Sequence, residues 1–396
     1  MRILHVTSSI DASSGGTAAA VLGLTRAQAA TGMNVTLLTT DAHGAGMQSV
    51  DAAGVATRVV GPASGKLLRH PDLPRVTREL VAAADVVHVH ALWEEAQYQA
   101  ARAAREQRVP YVITPHGMLT RWSLAQRPWK KRLYMAWRLR AMLNRAALIH
   151  YTSETERTEV MPSLAPTRRS TVEPLGVALD QYRTPPPPGT FRSRYPQLGT
   201  RPIVLFLGRL HPGKGLEYLL PAMAALRHAE AVLVAVGPDS RGYRAELDRR
   251  AALLGVSDRV LFTGLLQGEE KVAALVDADI FCLPSDHENF GVAVIEALAA
   301  GAPALVSAHV PVGKEIEESG AGAVVPQEPG QLAVVLDQWL ADEVRRRNAA
   351  ARGKALAWAR YDWVQIAMRW PAHYRAAGAT QAAPVAGAEV ILSPNT

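Results

Sequence analysis

The chain has 396 residues, of which 48% are hydrophobic and 20% charged; this balance is typical of soluble globular proteins, and the length suffices for two domains. A single cysteine, Cys282, excludes a disulfide framework within the chain and fits a reducing compartment. The net charge of +7 favours nucleotides, phosphates or an anionic membrane surface as partners, and since no zinc-ligand spacing or nucleic-acid motif is present, we expect neither a metal nor a nucleic-acid partner.

The N-terminal half alternates predicted strands with predicted helices. Strands are predicted at 2–7, 35–39, 85–90, 110–114 and 147–152, and helices at 18–31, 95–107 and 153–160. Ser153 and Glu156 form a predicted capping box at the start of the last of these helices. The alternation predicts an α/β fold with a parallel sheet.

Two sites in this half are candidates for ligand contact. Gly15 and Gly16 lie between the first strand and helix, where they either make a tight turn or let the backbone approach a phosphate. The loop does not have the G-x-G-x-x-G spacing of a dinucleotide site. His116 follows a strand end, where open α/β sheets bind ligands, and residue type alone fits a turn histidine equally well. For His88 and His90, packing or hydrogen bonding is favoured over metal binding, because no further ligand is evident nearby.

Residues 121–145 are rich in basic and aromatic side chains and contain no acid. From Trp129 onward the spacing predicts an amphipathic helix, with Arg138 on a basic face and Leu133 and Ala136 on the apolar face. Such a helix either packs on the sheet and exposes a solvated basic face, or binds an anionic membrane surface or a lipid-linked diphosphate.

The second half repeats the alternation after the proline-rich stretch at 184–189. Strands are predicted at 202–207, 231–236, 259–263, 279–283 and 302–307, and helices at 216–226, 269–277, 331–340, 342–359 and from 362. We therefore expect an N-terminal domain at 1–183, a linker at 184–199, a second domain at 200–360, a further helix at 361–376 and a disordered tail at 377–396.

The loop at 208–215 differs by one residue from a Walker A motif, because Gly215 stands where Ser or Thr would bind Mg²⁺. Arg209 offers a planar fork and Lys214 a point charge, and both suit a pyrophosphate. Together they could neutralise a diphosphate without a metal.

The stretch at 284–301 is a polar turn between a predicted buried strand and a helix that ends at Gly301. Glu288 lies in the turn and Glu296 lies within the helix. The amides of Asn289, Phe290 and Gly291 point from the helix N-terminus, where the dipole favours an anion or a sugar hydroxyl.

Glu288 and Glu296, with Phe290-Gly291 between them, resemble the E-x7-E signature of the retaining glycosyltransferases of family 4. The resemblance covers nearly the whole chain. It implies the GT-B fold, in which two Rossmann-like domains face a cleft and a C-terminal helix crosses back to the first domain, here with Trp363 and Trp370 as anchors. It also implies that the domain at 1–183 binds the acceptor and the domain at 200–360 binds the nucleotide-sugar donor.

The resemblance also implies roles for the candidate residues. Arg209 and Lys214 would bind the diphosphate of a UDP- or GDP-linked sugar, and Glu296 the ribose. Glu288 and the turn amides would hold the sugar, with His116 near the reacting carbon; Glu288 and His116 are the implied catalytic pair. The other donor contacts that the resemblance implies are Gly15, Gly16, Gly264 and Leu265. Asn289 departs from the family, since many relatives have glycine there.

The expected reaction is retaining, metal-independent sugar transfer to a lipid-linked or saccharide acceptor, with no cofactor besides the nucleotide sugar. The leaving phosphate would take the acceptor proton, because no carboxylate is clearly placed as a nucleophile. We expect the protein in the cytoplasm or on the inner face of the membrane, as no signal peptide or run of about 18 apolar residues is present. A P-loop NTPase, a nicotinamide oxidoreductase and an inactive nucleotide-binding paralogue remain alternatives.

Overall fold

The computed structural model describes residues 1–11, 16–40, 53–126, 128–160 and 169–379. Within these ranges the chain forms two parallel sheets, one of seven strands in the order β3-β2-β1-β4-β5-β6-β7 and one of six in the order β10-β9-β8-β11-β12-β13. The first sheet consists of β1 (Arg2–Val6), β2 (Asn34–Thr39), β3 (Ala56–Val59), β4 (Val86–His90), β5 (Tyr111–Thr114), β6 (Leu148–Tyr151) and β7 (Ser170–Val172). The second consists of β8 (Ile203–Leu207), β9 (Val232–Val236), β10 (Val260–Gly264), β11 (Ile280–Leu283), β12 (Ala304–Ser307) and β13 (Gly322–Val325).

Helices connect these strands. In the first half they are Gly16–Ala30, Leu73–Ala82, Glu95–Gln107, Arg121–Ala125, Pro128–Tyr134, Arg140–Arg145 and Glu154–Val160. In the second half they are Thr190–Arg194, Leu216–Ala225, Tyr243–Leu253, Gly268–Val276, Val292–Ala300, Gly313–Ser319, Pro329–Ala341, Glu343–Arg360 and Trp363–Ala376. The central strands are rich in Val, Ile and Leu and are buried on both faces, since helices cover both faces of each sheet; those of the first sheet also contain buried histidines.

Both sheets reverse their strand order at the first strand of the half, β1 in one and β8 in the other. In such sheets ligands bind outside the carboxyl ends of the strands at this reversal. The arrangement confirms the predicted fold of two Rossmann-like halves.

The last helix, Trp363–Ala376, packs on the first sheet. Trp370 and Tyr374 are buried there with Val86 and Val112. Trp363 packs against Gly23 and Gly176, neither of which has room for a side chain. A Cβ at Gly23 would lie 2.2 Å from the indole nitrogen of Trp363. The predicted crossover helix is therefore confirmed.

Two segments link the halves. The chain leaves the first half after Val177 and returns to the first sheet after Tyr361. The Val177 amide donates to the Tyr361 carbonyl over 2.8 Å, so the two crossing segments lie side by side. The predicted linker 184–199 contains the helix Thr190–Arg194, whose Phe191 is buried in the core of the second sheet. Of the predicted tail, Ala377 and Ala379 are buried, and residues from 380 lie outside the described ranges.

The predicted basic helix differs from the structure. A π-helical turn, Met135–Leu139, interrupts it. Leu133 is 65% exposed and Ala136 is also exposed, so their assignment to the packed face was wrong. The side chain of Arg138 turns inward, where its guanidinium lies 2.6 Å from a carboxylate oxygen of Glu95. Within the described residues, no helix combines the length and apolar composition needed to cross a bilayer.

Candidate active site

A cavity of about 400 Å³ lies at the carboxyl ends of β8, β9 and β10. Its lining comes mainly from the loops after these strands and from the start of the helix Val292–Ala300, and Gly16 borders it from the first half of the chain. The residues are Gly16, Leu207, Gly208, Arg209, Gly237, Pro238, Leu265, Leu266, Gln267, Gly268, Lys271, Val292, Ala293 and Glu296. The cavity thus brings together the predicted donor contacts Gly16, Arg209, Leu265 and Glu296.

Two ion pairs hold the predicted carboxylates. Lys271 Nζ lies 2.6 Å from Glu296 Oε1, and Lys214 Nζ lies 2.6 Å from Glu288 Oε1. All four side chains are at most 21% exposed, so these pairs are partly shielded from water. Lys271 was not predicted, because nothing near it in the sequence distinguishes it from any other helix lysine.

Arg209 differs from these lysines. It is exposed, and no carboxylate lies within ion-pair distance of it in the described part of the chain. Arg209 lines the same cavity as Glu296. An arginine placed in this way can bind an anion without first breaking an ion pair.

The loop at 208–215 is not arranged as a Walker A cradle. The amides of Gly213 and Gly215 both donate to the carboxylate of Glu217, which occupies two groups that would otherwise face a phosphate. Gly215 has φ +98° and a Cβ there would lie 2.6 Å from the Pro284 carbonyl oxygen. The missing Ser or Thr is therefore a consequence of backbone geometry, which argues against the P-loop alternative.

In the turn before the helix Val292–Ala300, Phe290 packs in the core and Asn289 contacts the first half of the chain. The Phe290 ring is buried and packs edge-on to Tyr361, with centroids 5.7 Å apart, so only its backbone can reach a ligand. Asn289 Nδ2 donates to Thr152 Oγ1 over 3.2 Å, which joins the two halves of the chain. Among the described residues, the amides of 289–291 have no hydrogen-bond acceptor.

His116 lies in the first half of the chain, beside the contact between Asn289 and Thr152. A Cβ at its neighbour Gly117 would be 2.4 Å from Asn289 Oδ1, so the two turns meet closely. His116 has φ +52°, and the Gly117 amide donates to Glu156 Oε1 over 2.6 Å, which holds the turn. Burial, with a smaller effect of His150, lowers the pKa of His116 to about 3.

Glu156 was predicted as half of a capping box, and the structure corrects this. Its amide does donate to Ser153 Oγ over 3.1 Å. Its carboxylate, however, accepts from the amides of Gly117 and Thr152 and from the Thr152 hydroxyl rather than from Ser153. Burial raises the pKa of Glu156. The residue therefore supports the His116 turn, a role that its local spacing did not indicate.

Comparison with known proteins identifies the family of this chain. Residues 15–176 match the family model described as glycosyl transferase 4-like domain, and residues 190–356 match glycosyl transferases group 1. The phosphatidyl-myo-inositol mannosyltransferase of Mycobacterium leprae is 30% identical over 374 residues, which cover 89% of this chain and 91% of that protein. The chain belongs to the group 1 glycosyltransferases.

Two further proteins are similar to this glycosyltransferase. The GDP-mannose:cellobiosyl-diphosphopolyprenol alpha-mannosyltransferase of Xanthomonas campestris is 28% identical over 386 residues, covering 95% of this chain and 97% of that one. The solved structure of HepE from Anabaena in complex with UDP has a TM-score of 0.77 at 20% identity, covering 95% of this chain and 100% of HepE. The latter likeness shows the shared GT-B fold.

The remaining predicted residues of the glycosyltransferase site are placed as follows. The Gly264 carbonyl accepts from the Gly237 amide over 2.8 Å, and the adjacent Leu265 is 58% exposed beside the cavity. Gly15 lies outside the described residues. The site thus has cations, carboxylates and free amides at one sheet edge and His116 on the facing edge.

Among the described residues of the glycosyltransferase, one group of side chains could ligate a metal: His5, His88 and His90 bring ring nitrogens within 4.8 Å of one another. All their ring nitrogens already form hydrogen bonds, however, within a larger buried network. The hydrogen-bonding role predicted for His88 and His90 is therefore confirmed.

Proposed function

We propose that this glycosyltransferase moves a sugar, with retention and without a metal, from a UDP- or GDP-linked donor to a hydroxyl acceptor. The observation that carries the proposal is the cavity lined by Arg209, Lys271 and Glu296, in which Lys271 pairs with Glu296. Cations suit a diphosphate, and a carboxylate held by an ion pair suits ribose hydroxyls. The Xanthomonas campestris relative uses GDP-mannose by name, and the Mycobacterium leprae relative is a mannosyltransferase by name. The solved neighbour binds UDP. These likenesses support a nucleotide-sugar donor and favour mannose.

The Lys214–Glu288 pair suggests how the donor enters. A diphosphate competes with Glu288 for Lys214, and Glu288 then becomes free to accept hydrogen bonds from sugar hydroxyls. Arg209 needs no such exchange, so it binds the diphosphate first. As charge develops on the leaving phosphate, both cations stabilise it, and the phosphate takes the acceptor proton on the same face of the sugar.

The test is a thermal-shift panel with GDP, UDP, ADP, Mg-ATP and NAD, in EDTA where no metal is intended. We expect GDP or UDP to raise the unfolding midpoint in EDTA, since a ligand at 100 times its Kd adds about 2.7 kcal/mol. Arg209→Ala should remove most of the shift, whereas Arg347→Ala, a change at an exposed helix arginine paired with Glu343, should not. A shift with Mg-ATP or NAD alone would refute the proposal.

Turnover and stereochemistry need a separate measurement. NMR of the product should show the anomeric configuration of the donor sugar, and inversion would contradict retention. His116→Ala should abolish transfer but keep the nucleotide-induced shift, because His116 contacts the sugar rather than the nucleotide. Binding without turnover in the unmodified protein would instead support an inactive paralogue.

We also infer a lipid-linked acceptor, with a saccharide as the alternative, and a place on the inner membrane face. Large apolar side chains are exposed together along the segment 121–139 at 55–67% of their surface: Trp122, Trp129, Leu133 and Trp137. Exposed basic residues accompany them: Arg121, Lys130, Arg132, Arg140 and Arg145. Interfacial Trp with basic neighbours is typical of an anionic membrane surface.

Co-sedimentation with vesicles tests this surface. We expect binding to vesicles with anionic phospholipid and little binding to zwitterionic ones. Replacing Trp129 and Trp137 by Ser should weaken it, whereas Leu253→Ser, at a position 87% exposed in the other half, should not. Binding that ignores lipid charge would refute the inference.

A further inference from the structure

A buried chain of hydrogen bonds connects His116 to the far side of the first sheet. It begins at the backbone carbonyl of Glu173, at the end of β7, and passes through Tyr374 on the crossover helix. Each histidine between the two ends uses both ring nitrogens in it. Because each ring accepts at one nitrogen and donates at the other when neutral, the direction of one bond sets the next.

The Glu173 carbonyl sets the direction of the hydrogen bonds from Glu173 to Tyr374. A carbonyl only accepts, so His150 Nε2, at 2.7 Å, must carry the hydrogen. His150 Nδ1 then accepts from the Thr114 hydroxyl over 2.8 Å, and Thr114 Oγ1 accepts from His88 Nε2 over 2.7 Å. His88 Nδ1 is left to accept from the Tyr374 hydroxyl over 2.9 Å.

The hydrogen bonds from Tyr374 to His116 continue in the same direction. The Tyr374 oxygen accepts from Gln28 Nε2 over 3.0 Å. Gln28 Oε1 accepts from His5 Nε2 over 2.7 Å, and His5 Nδ1 accepts from His90 Nε2 over 2.9 Å. His90 Nδ1 therefore accepts from His116 Nε2 over 3.1 Å. The hydrogen of His116 lies on the buried Nε2, and its Nδ1 has a lone pair.

The histidine rings are neutral because of their surroundings. His5, His88, His90 and His150 are buried, and a second proton on one of them would point two N–H groups at each other or leave a cation in the core. In agreement, burial lowers the pKa of His5 and of His150 to about 4. If the Gln28 amide were reversed, every hydrogen bond from Tyr374 back to His150 would reverse too. His150 would then carry a hydrogen on both nitrogens and a positive charge, so the orientation of the Gln28 amide is fixed as well.

We propose that Tyr374 and Gln28 are positioning residues that fix the tautomer in which His116 Nδ1 accepts a hydrogen bond. This rests on the proposed function, in which His116 meets the donor sugar. His116 then binds a sugar hydroxyl as an acceptor and cannot donate to the leaving oxygen. The crossover helix thereby controls the chemistry of a side chain at the cleft.

The test is long-range ¹H–¹⁵N NMR of the full-length protein labelled at histidine nitrogens, without ligand, at pH 7.5. We expect His116, assigned by the signals lost in His116→Gln, to show protonated Nε2 and unprotonated Nδ1. The opposite tautomer would overturn the proposal. No donor is needed, so a failure here is distinct from a failure of the proposed transfer.

Tyr374→Phe removes the hydroxyl that connects Gln28 to His88. The Gln28 amide can then reverse, and His116 should show both tautomers. At equal populations the donor KM should rise about twofold with kcat unchanged, because half of the free enzyme is competent. Gln28→Met should act likewise, and a single unchanged tautomer in both variants would refute the proposal. The control is Tyr182→Phe, which removes a buried hydroxyl that has no partner among the described residues.

Discussion

Gly215 offers a sharp test of how the loop at 208–215 is built. Its φ is +98° and a Cβ would meet the Pro284 carbonyl oxygen at 2.6 Å, whereas Gly213 has φ +81° and an added Cβ would lie 3.5 Å from the Asp286 side chain. Both amides donate to Glu217, so this contact is common to the two sites.

The two substitutions to alanine therefore separate conformational strain from the clash. A left-handed backbone costs a residue other than glycine about 1–2 kcal/mol, which both variants bear. Overpacking against the backbone adds about 1–3 kcal/mol at Gly215 alone. We expect Gly215→Ala to lose about 2–5 kcal/mol and Gly213→Ala about 1–2 kcal/mol of unfolding free energy.

Urea unfolding followed by tryptophan fluorescence measures the difference between the two variants. Equal losses would show that the carbonyl does not restrict Gly215. Gly215→Ser, which completes the Walker A pattern, should be as unstable as Gly215→Ala and should gain no Mg-dependent ATP hydrolysis. A gain of hydrolysis would refute our account of the loop.

Three further predictions concern the first sheet and the side chains that pack around it. Trp370→Ala should cost about 3–5 kcal/mol in urea unfolding, because it empties a fully buried site, and a loss below 1 kcal/mol would contradict the packing. Folding holds the pKa of His5 and His150 near 4 against about 6.5 when unfolded, so the unfolded chain binds more protons as pH falls from 6.5 to 4. Unfolding free energy should therefore drop by about 2 kcal/mol per histidine at pH 5, and a flat profile from pH 7.5 to 5 would refute this. Glu156→Gln replaces an acceptor of the Gly117 amide and should cost about 1–3 kcal/mol and slow transfer, while unchanged stability and turnover would exclude its support of the turn.

Local patterns predicted the elements that local forces determine. The helix at 95–107 and most strand positions agree with the structure because their apolar periodicity matches their burial. The strands β3, β7 and β13 were not predicted. They are short edge strands, in which partial exposure weakens the apolar run, and β3 has the burial of a strand with both faces near solvent.

Contacts between distant segments explain the other differences. Arg138 faces Glu95, which lies 43 positions earlier, so the helical projection of 121–145 alone assigned it to the wrong face. Lys271 pairs with Glu296 across two helices, and Asn289 with Thr152 across two sheets. Gly16, Arg209, Leu265 and Glu296, which the motifs single out, line one cavity, but the partners of the site residues depend on tertiary structure.

The crossover helix has a consequence for engineering by recombination. Enzymes with two such halves invite hybrids in which one protein supplies the acceptor half and another the donor half. In this chain the helix Trp363–Ala376 is continuous in sequence with the second half and yet packs on the first sheet. A hybrid divided at a single point would seat a foreign helix against the buried histidines. A productive hybrid needs two junctions, one near Val177 and one near Tyr361, so that the final helix comes from the same parent as the sheet it covers.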